Sequence, residues 1–190
     1  MSIEKPSKHE MFELLKKFSD LVATSGREDP VRGVVADYLK NYADKVWIDP
    51  LGNVIAYKRG SGSGKAKLML AAHMDEIGLF VSHIDEKGFI RVLPIGGITE
   101  RALVYQRVMI RTRDGRIVRG VIGLKPPHVA KPEEARQVPE LRELFVDVGA
   151  KSREEVEKQL GISIGDIAVF DRELVLLNFD RVTGKALDGR

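Results

Sequence analysis

Four short strand-like runs follow one another in the middle of this chain: Ile77 to Ile84, Phe89 to Leu93, Leu103 to Ile110 and Arg116 to Ile122. They are separated by Asp85-Glu-Lys-Gly88, Pro94-Ile-Gly-Gly97 and Asp114-Gly115, and the last of these is a strong hairpin signal. Short strands at this spacing predict a small β-barrel or a sandwich. Beyond a longer loop that opens at Pro126-Pro-His128 and runs past Pro132 and Pro139, Leu144 to Val148 reads as a further strand. Ser152-x-x-Glu155 predicts a capped short helix ended by Gly161, and Ile167 to Phe170 and Leu174 to Asn178 read as strands.

The chain does not begin that way. Ser7-x-x-Glu10 is a capping box, and Met11, Phe12, Leu14, Leu15, Phe18, Leu21 and Val22 recur at helical spacing up to Thr24-Ser25-Gly26. Pro30 suits the first turn of a second helix, with Val31, Val34, Val35, Tyr38 and Leu39 on one face. Val46 to Ile48 and Val54 to Tyr57 flank Leu51-Gly52-Asn53 as an antiparallel hairpin. After the Gly60 to Gly64 loop, Leu68 to Ala72 has the continuous apolar character of a strand covered on both faces. The chain thus opens as α/β, becomes all-β after Asp75 and turns back at its end, with no internal repeat.

A length of 190 residues fits one large domain or two small ones, and 43% apolar residues suffice for a core. The absence of cysteine excludes disulfides and thiolate metal sites, so a metal here must use histidine and carboxylates. A net charge of +3, scattered rather than in blocks, gives nucleic-acid binding no support. With 6% aromatic residues, the β-rich region also lacks interleaved basic and aromatic side chains for stacking bases. No run approaches membrane-spanning length, and the acidic N-terminus has no apolar core of a signal peptide, so a soluble, cytoplasmic protein is expected. Abundant Lys and Glu without Cys suits a thermophile.

Of four histidines, His9 lies in the first helical turn among charges, His83 near the end of a strand beside a charged turn, and His128 in the proline-rich loop. His73 differs: it ends the apolar run Leu68 to Ala72, and Asp75 follows two residues later. A metal-bound histidine commonly donates its other ring N–H to a carboxylate, which fixes the tautomer. His-x-Asp is equally compatible with a structural histidine followed by a polar loop.

The segment from Ala71 to Gly97, containing Ala-His-Met-Asp-Glu-Ile-Gly-Leu-Phe-Val-Ser-His, closely resembles the tetrahedral (TET) aminopeptidases. These are dinuclear metallo-aminopeptidases of the deblocking and glutamyl type, some of whose relatives carry an endoglucanase label. Asp49-Pro-Leu-Gly-Asn-Val-Ile55, Gln106-Arg107, Pro126-Pro-His128, Phe145 to Ala150 and Gly184-Lys-Ala-Leu-Asp-Gly-Arg190 match as well. The resemblance implies an α/β zinc-peptidase-like domain, incomplete here, interrupted by a β-barrel-like dimerisation domain. Its parts would be residues 1–74 and 172–190 for the peptidase domain and 75–171 for the insertion.

It further implies that His73 is a ligand of one metal, Asp75 orients it, and Asp188 bridges two divalent ions, zinc or cobalt. The implied reaction is hydrolysis of N-terminal residues from peptides by a metal-activated water. Homo-oligomerisation through the insertion is also implied, with a dodecamer in the family. Two departures stand out: Gly189 replaces the acidic or amide residue that often follows the bridging Asp, and the chain reaches Arg190 without the paired glutamates, one of them the general base. The expectation is an N-terminal portion that is inactive alone. The alternatives are a non-catalytic interaction protein derived from such a peptidase, or half of a split enzyme completed by a C-terminal polypeptide.

Overall fold

The computed structural model describes residues 5–62, 64, 66–124 and 138–188. His128 and Gly189 lie outside the described residues. The chain divides into two compact units: one joins the residues up to Asp75 with those from Glu173 onward, and the other runs from Glu76 to Arg172.

In the first unit, α1 (Lys8–Ser19) starts where the capping box predicts. The Ser7 hydroxyl accepts from Glu10 N–H, and the Glu10 carboxylate accepts from Ser7 N–H. Helix α2 (Asp29–Leu39) carries Pro30 in its first turn, where a missing N–H costs no intrahelical bond. Phe18 of α1 meets Tyr38 of α2 edge to face at 5.8 Å, a favoured geometry for two aromatic rings. The predicted hairpin forms as β1 (Lys45–Ile48) and β2 (Val54–Tyr57), pairing Lys45 with Tyr57 and Ile48 with Val54. At its turn the Asp49 carboxylate accepts from the N–H groups of Leu51 and Asn53 and from the Asn53 amide. Arg32 of α2 reaches this turn, donating to Gly52 O at 2.8 Å. Gly52 has φ of 89°, a left-handed backbone that favours glycine, and a Cβ there would displace the Arg32 guanidinium, 2.7 Å away.

Leu68 to Ala72 departs from expectation. It joins no ladder, and Leu68, Met69 and Leu70 are 88%, 86% and 87% exposed. A strand exists only through its neighbours' hydrogen bonds, and among the described residues none pairs with this segment.

The second unit is a closed six-stranded barrel of β3 (Gly78–Ile84), β4 (Ile90–Ile95), β5 (Arg107–Arg111), β6 (Ile117–Gly123), β7 (Phe145–Asp147) and β8 (Ile167–Phe170). Its spatial order is β3-β4-β7-β6-β5-β8, every pairing antiparallel. Strand spacing alone left barrel and sandwich open, and the closed barrel agrees with the β-barrel-like insertion that the resemblance implied; closure removes the unpaired edges a sandwich keeps. Inward positions alternate as Leu79 and Val81, Ile90 and Val92, Val108 and Ile110, all nearly or fully buried. Leu103, Leu144, Val156 and Ile162 from connecting segments complete a core that fills the barrel.

Within β3 the register shifts between Val81 and His83. The extra residue turns His83 outward and Ile84 inward, which explains an exposed histidine beside a fully buried isoleucine. The run expected as strand from Leu103 starts only at Arg107, because a 3-10 turn at Glu100–Ala102 directs Leu103 into the core as its cap. The short helix expected after Ser152 is a single π-helical turn, Glu155–Gln159.

After the barrel, the expected strand from Leu174 to Asn178 contracts to β9 (Val175–Leu176), which pairs with β10 (Val182–Thr183). No described helix is long and apolar enough to cross a membrane.

Candidate metal centre

His73 and Asp75, two residues apart, come together in the first unit with Asp188, which is distant in sequence. His73 and Asp75 lie on a segment outside any helix or ladder. His73 Nδ1 and Asp75 Oδ1 are 2.9 Å apart, so the ring donates there and keeps its Nδ1 proton. The opposite nitrogen, Nε2, faces Asp188 Oδ2 at 3.3 Å.

A fourth side chain belongs to this set. Ser25, on the turn that leaves α1, donates its hydroxyl to Asp75 Oδ2. The turn is shaped by Gly26 at φ 78° and by an Arg27 N–H to Thr24 O bond of 2.9 Å. Ser25 thus aims the carboxylate that aims the histidine. Helical periodicity marks Thr24-Ser25-Gly26 only as a helix end, and nothing in local spacing links Ser25 to Asp75.

The electrostatics follow these bonds. The Ser25 hydroxyl holds the Asp75 carboxyl below its ordinary range, and the hydrogen bond to His73 adds to that. The Asp75 hydrogen bond raises the His73 imidazole above its ordinary range, with the Asp188 charge adding to it. Asp188 is 95% exposed and His73 51%, so the Nε2 side of the ring is open to a ligand. His73 also lines an apolar cavity of about 240 Å³, together with Phe18, Val31, Val35, Tyr38 and Leu39 of the two helices.

An imidazole with its far nitrogen tied to a carboxylate, and a second carboxylate opposite its free nitrogen, is a donor pair suited to a zinc-class ion. The pair fits as part of a site. Asp75 lies on the Nδ1 side, away from Asp188, and among the described residues no three His, Cys, Asp or Glu groups converge on one point. His9 and His83 are exposed and join nothing here.

A model of the M42 glutamyl aminopeptidases matches residues 52–190. The lysyl aminopeptidase of Pyrococcus furiosus is 42% identical over 182 residues, covering 94% of this chain and 51% of that protein. Among solved structures, aminopeptidase APDkam598 from the archaeon Desulfurococcus kamchatkensis superposes with a TM-score of 0.87 at 60% identity, covering 94% of this chain and 48% of that one. The Pyrococcus horikoshii TET1 peptidase, described as able to assemble into a tetrahedron or a large octahedral shell, matches with a TM-score of 0.75 at 36% identity, over 88% of this chain and 48% of its own. The chain spans about half the length of the curated relatives it matches.

Proposed function

The chain belongs to the M42 glutamyl aminopeptidase family, and from that premise we propose that it carries part of the metal centre of an aminopeptidase that removes N-terminal residues from peptides. The observation that carries the proposal is the orientation of His73, whose Nδ1–H is tied to Asp75 while Nε2 faces Asp188. His73 would hold one divalent ion through Nε2, and Asp188 would bridge that ion and a second; zinc and cobalt both suit such donors. When bound, the ions would polarise the peptide carbonyl and acidify water.

The residues of this chain prepare that chemistry. Ser25 keeps Asp75 anionic and turned toward the ring. Asp75 keeps the Nδ1 proton in place, so that the Nε2 lone pair is the one presented. The general base and the remaining ligands come from sequence outside these 190 residues, in the same polypeptide or a complementary C-terminal one. On this reading the first unit is an incomplete zinc-peptidase-like domain and the barrel is a self-association module of a cytoplasmic homo-oligomer. The shell assembly of the Pyrococcus horikoshii relative supports the last point.

Native mass spectrometry with added zinc tests the site. The 190-residue chain is expected to take up zinc weakly, His73→Ala and Asp188→Ala to abolish uptake, and Asp75→Asn to weaken it about 10- to 100-fold. Equal uptake by wild type and His73→Ala sinks the assignment. Release of N-terminal residues from short peptides by the purified chain, abolished by His73→Ala, would overturn the reading of the site as incomplete.

A further inference from the structure

Lys185, 6% exposed, is the one buried lysine or arginine among the described residues. Its ammonium donates to Ser19 O at 2.8 Å and to Leu21 O at 2.5 Å. Helix α1 ends at Ser19, so these carbonyls lie where a helix leaves acceptors without intrahelical partners and where its dipole is negative. The grip is reciprocal: the Ser19 hydroxyl, itself fully buried, donates to Lys185 O at 2.5 Å. Side chain and main chain of Lys185 are therefore both fixed to the end of α1. Next to this clamp Asp20 Oδ1 accepts from Leu174 N–H at 2.9 Å, tying the start of the same returning segment to the same helix end.

From Lys185 the chain turns through Ala186, whose φ is 59°, and reaches Asp188. Three residues span at most about 10 Å, so fixing Lys185 confines Asp188. Asp188 needs that confinement: it is 95% exposed, and His73 is its only ion-pair partner among the described residues. The turn that receives Lys185 runs on to Ser25, which orients Asp75. One short stretch, Ser19 to Ser25, thus locates both halves of the site.

We propose that Lys185 is a positioning residue: clamped on the Ser19 and Leu21 carbonyls, it sets where Asp188 stands opposite His73 Nε2. This deepens the metal-site reading and rests on it for its consequence, though its geometry stands without a metal.

The test uses the full 190-residue chain, with Lys185→Met, Ser19→Ala, Asp188→Ala and the Lys185→Met/Asp188→Ala double variant. The first readout is the ring ¹⁵N spectrum of His73 at one fixed pH, without metal. Lys185→Met is expected to move Nε2 to its Asp188→Ala position, to leave Nδ1 in place and to add nothing in the Asp188→Ala background. Ser19→Ala is expected to move Nε2 part of the way. The second readout is cobalt binding followed by visible absorption, which Lys185→Met weakens about tenfold.

A folded Lys185→Met chain with a wild-type Nε2 resonance overturns the proposal. So does loss of folded structure in both Lys185→Met and Ser19→Ala, which would make the lysine a structural one only. If wild type binds no cobalt yet Nε2 moves as expected in Lys185→Met, the positioning role stands and the metal reading falls.

Discussion

Ala186 adopts a left-handed backbone without being glycine, on the short path between the Lys185 clamp and Asp188. For an L-residue that conformation costs about 1–2 kcal/mol, while glycine loses about 0.5–1 kcal/mol more in backbone entropy on folding. Ala186→Gly is therefore expected to stabilise the chain by roughly 0.5 kcal/mol and to loosen Asp188, lowering metal affinity. A fall in melting temperature for this variant would show that the strain assignment is wrong. Residues at this scale were legible only where the chain itself brings them together. His73 and Asp75 lie two residues apart, a spacing that left a bonded pair and a polar loop equally open, while the resemblance pointed to the pair. Ser25 and Lys185 act on the same two segments from elsewhere, and helix periodicity treats one as a terminus and says nothing of the other.

The β1–β2 hairpin is the element whose turn chemistry is most explicit. Asn53 donors, with smaller help from Leu51 and Gly52 N–H groups, hold the Asp49 carboxyl below its ordinary range. Its folded pKa lies below its unfolded one, so the stabilisation is fully present above the unfolded value, about 3.9, and is lost as pH falls through the folded value. Asp49→Ala is expected to be less stable than wild type at neutral pH and to converge with it in acid. A constant gap between the two acid-unfolding curves would exclude this linkage. Elements with local causes were readable in the same way: the Ser7–Glu10 box started α1, and Gly115, at φ 87°, closed the β5–β6 connection. Leu68 to Ala72 failed because an apolar run records a need for neighbours and cannot supply them. The bulge in β3 was invisible because one extra residue changes which side chains face inward without changing composition.

Across the whole molecule, the two units differ in how their apolar surface is covered. The barrel closes every edge around a core that includes Val81, Ile84, Ile90, Val108 and Ile110 at 0% exposure. The first unit leaves Leu68 to Leu70, Leu176, Leu177 and Phe179 exposed. Hydrogen exchange is expected to be slowest in β3, β5 and β8 and fastest at residues 68–72, which lack ladder bonds. Uniform protection across both units would contradict that ranking. The switch from helical spacing to closely set strands after Asp75 was legible in the sequence, because periodicity changes from 3.6 to 2. Barrel closure was implied by the resemblance but not by strand spacing, since it depends on β3 meeting β8, strands separated by most of the unit.

The clamp between Ser19 and Lys185 joins residues 166 positions apart. A ribosome delivers α1 well before the lysine, and contacts this distant in sequence form late. The barrel, whose strands all lie between them, emerges complete before the clamp can close. During synthesis His73 is therefore a free imidazole next to its own aspartate, with no second carboxylate opposite. A metal captured that early would be held by one ligand only and exchange freely, so loading belongs after release of the segment that carries Lys185 and Asp188.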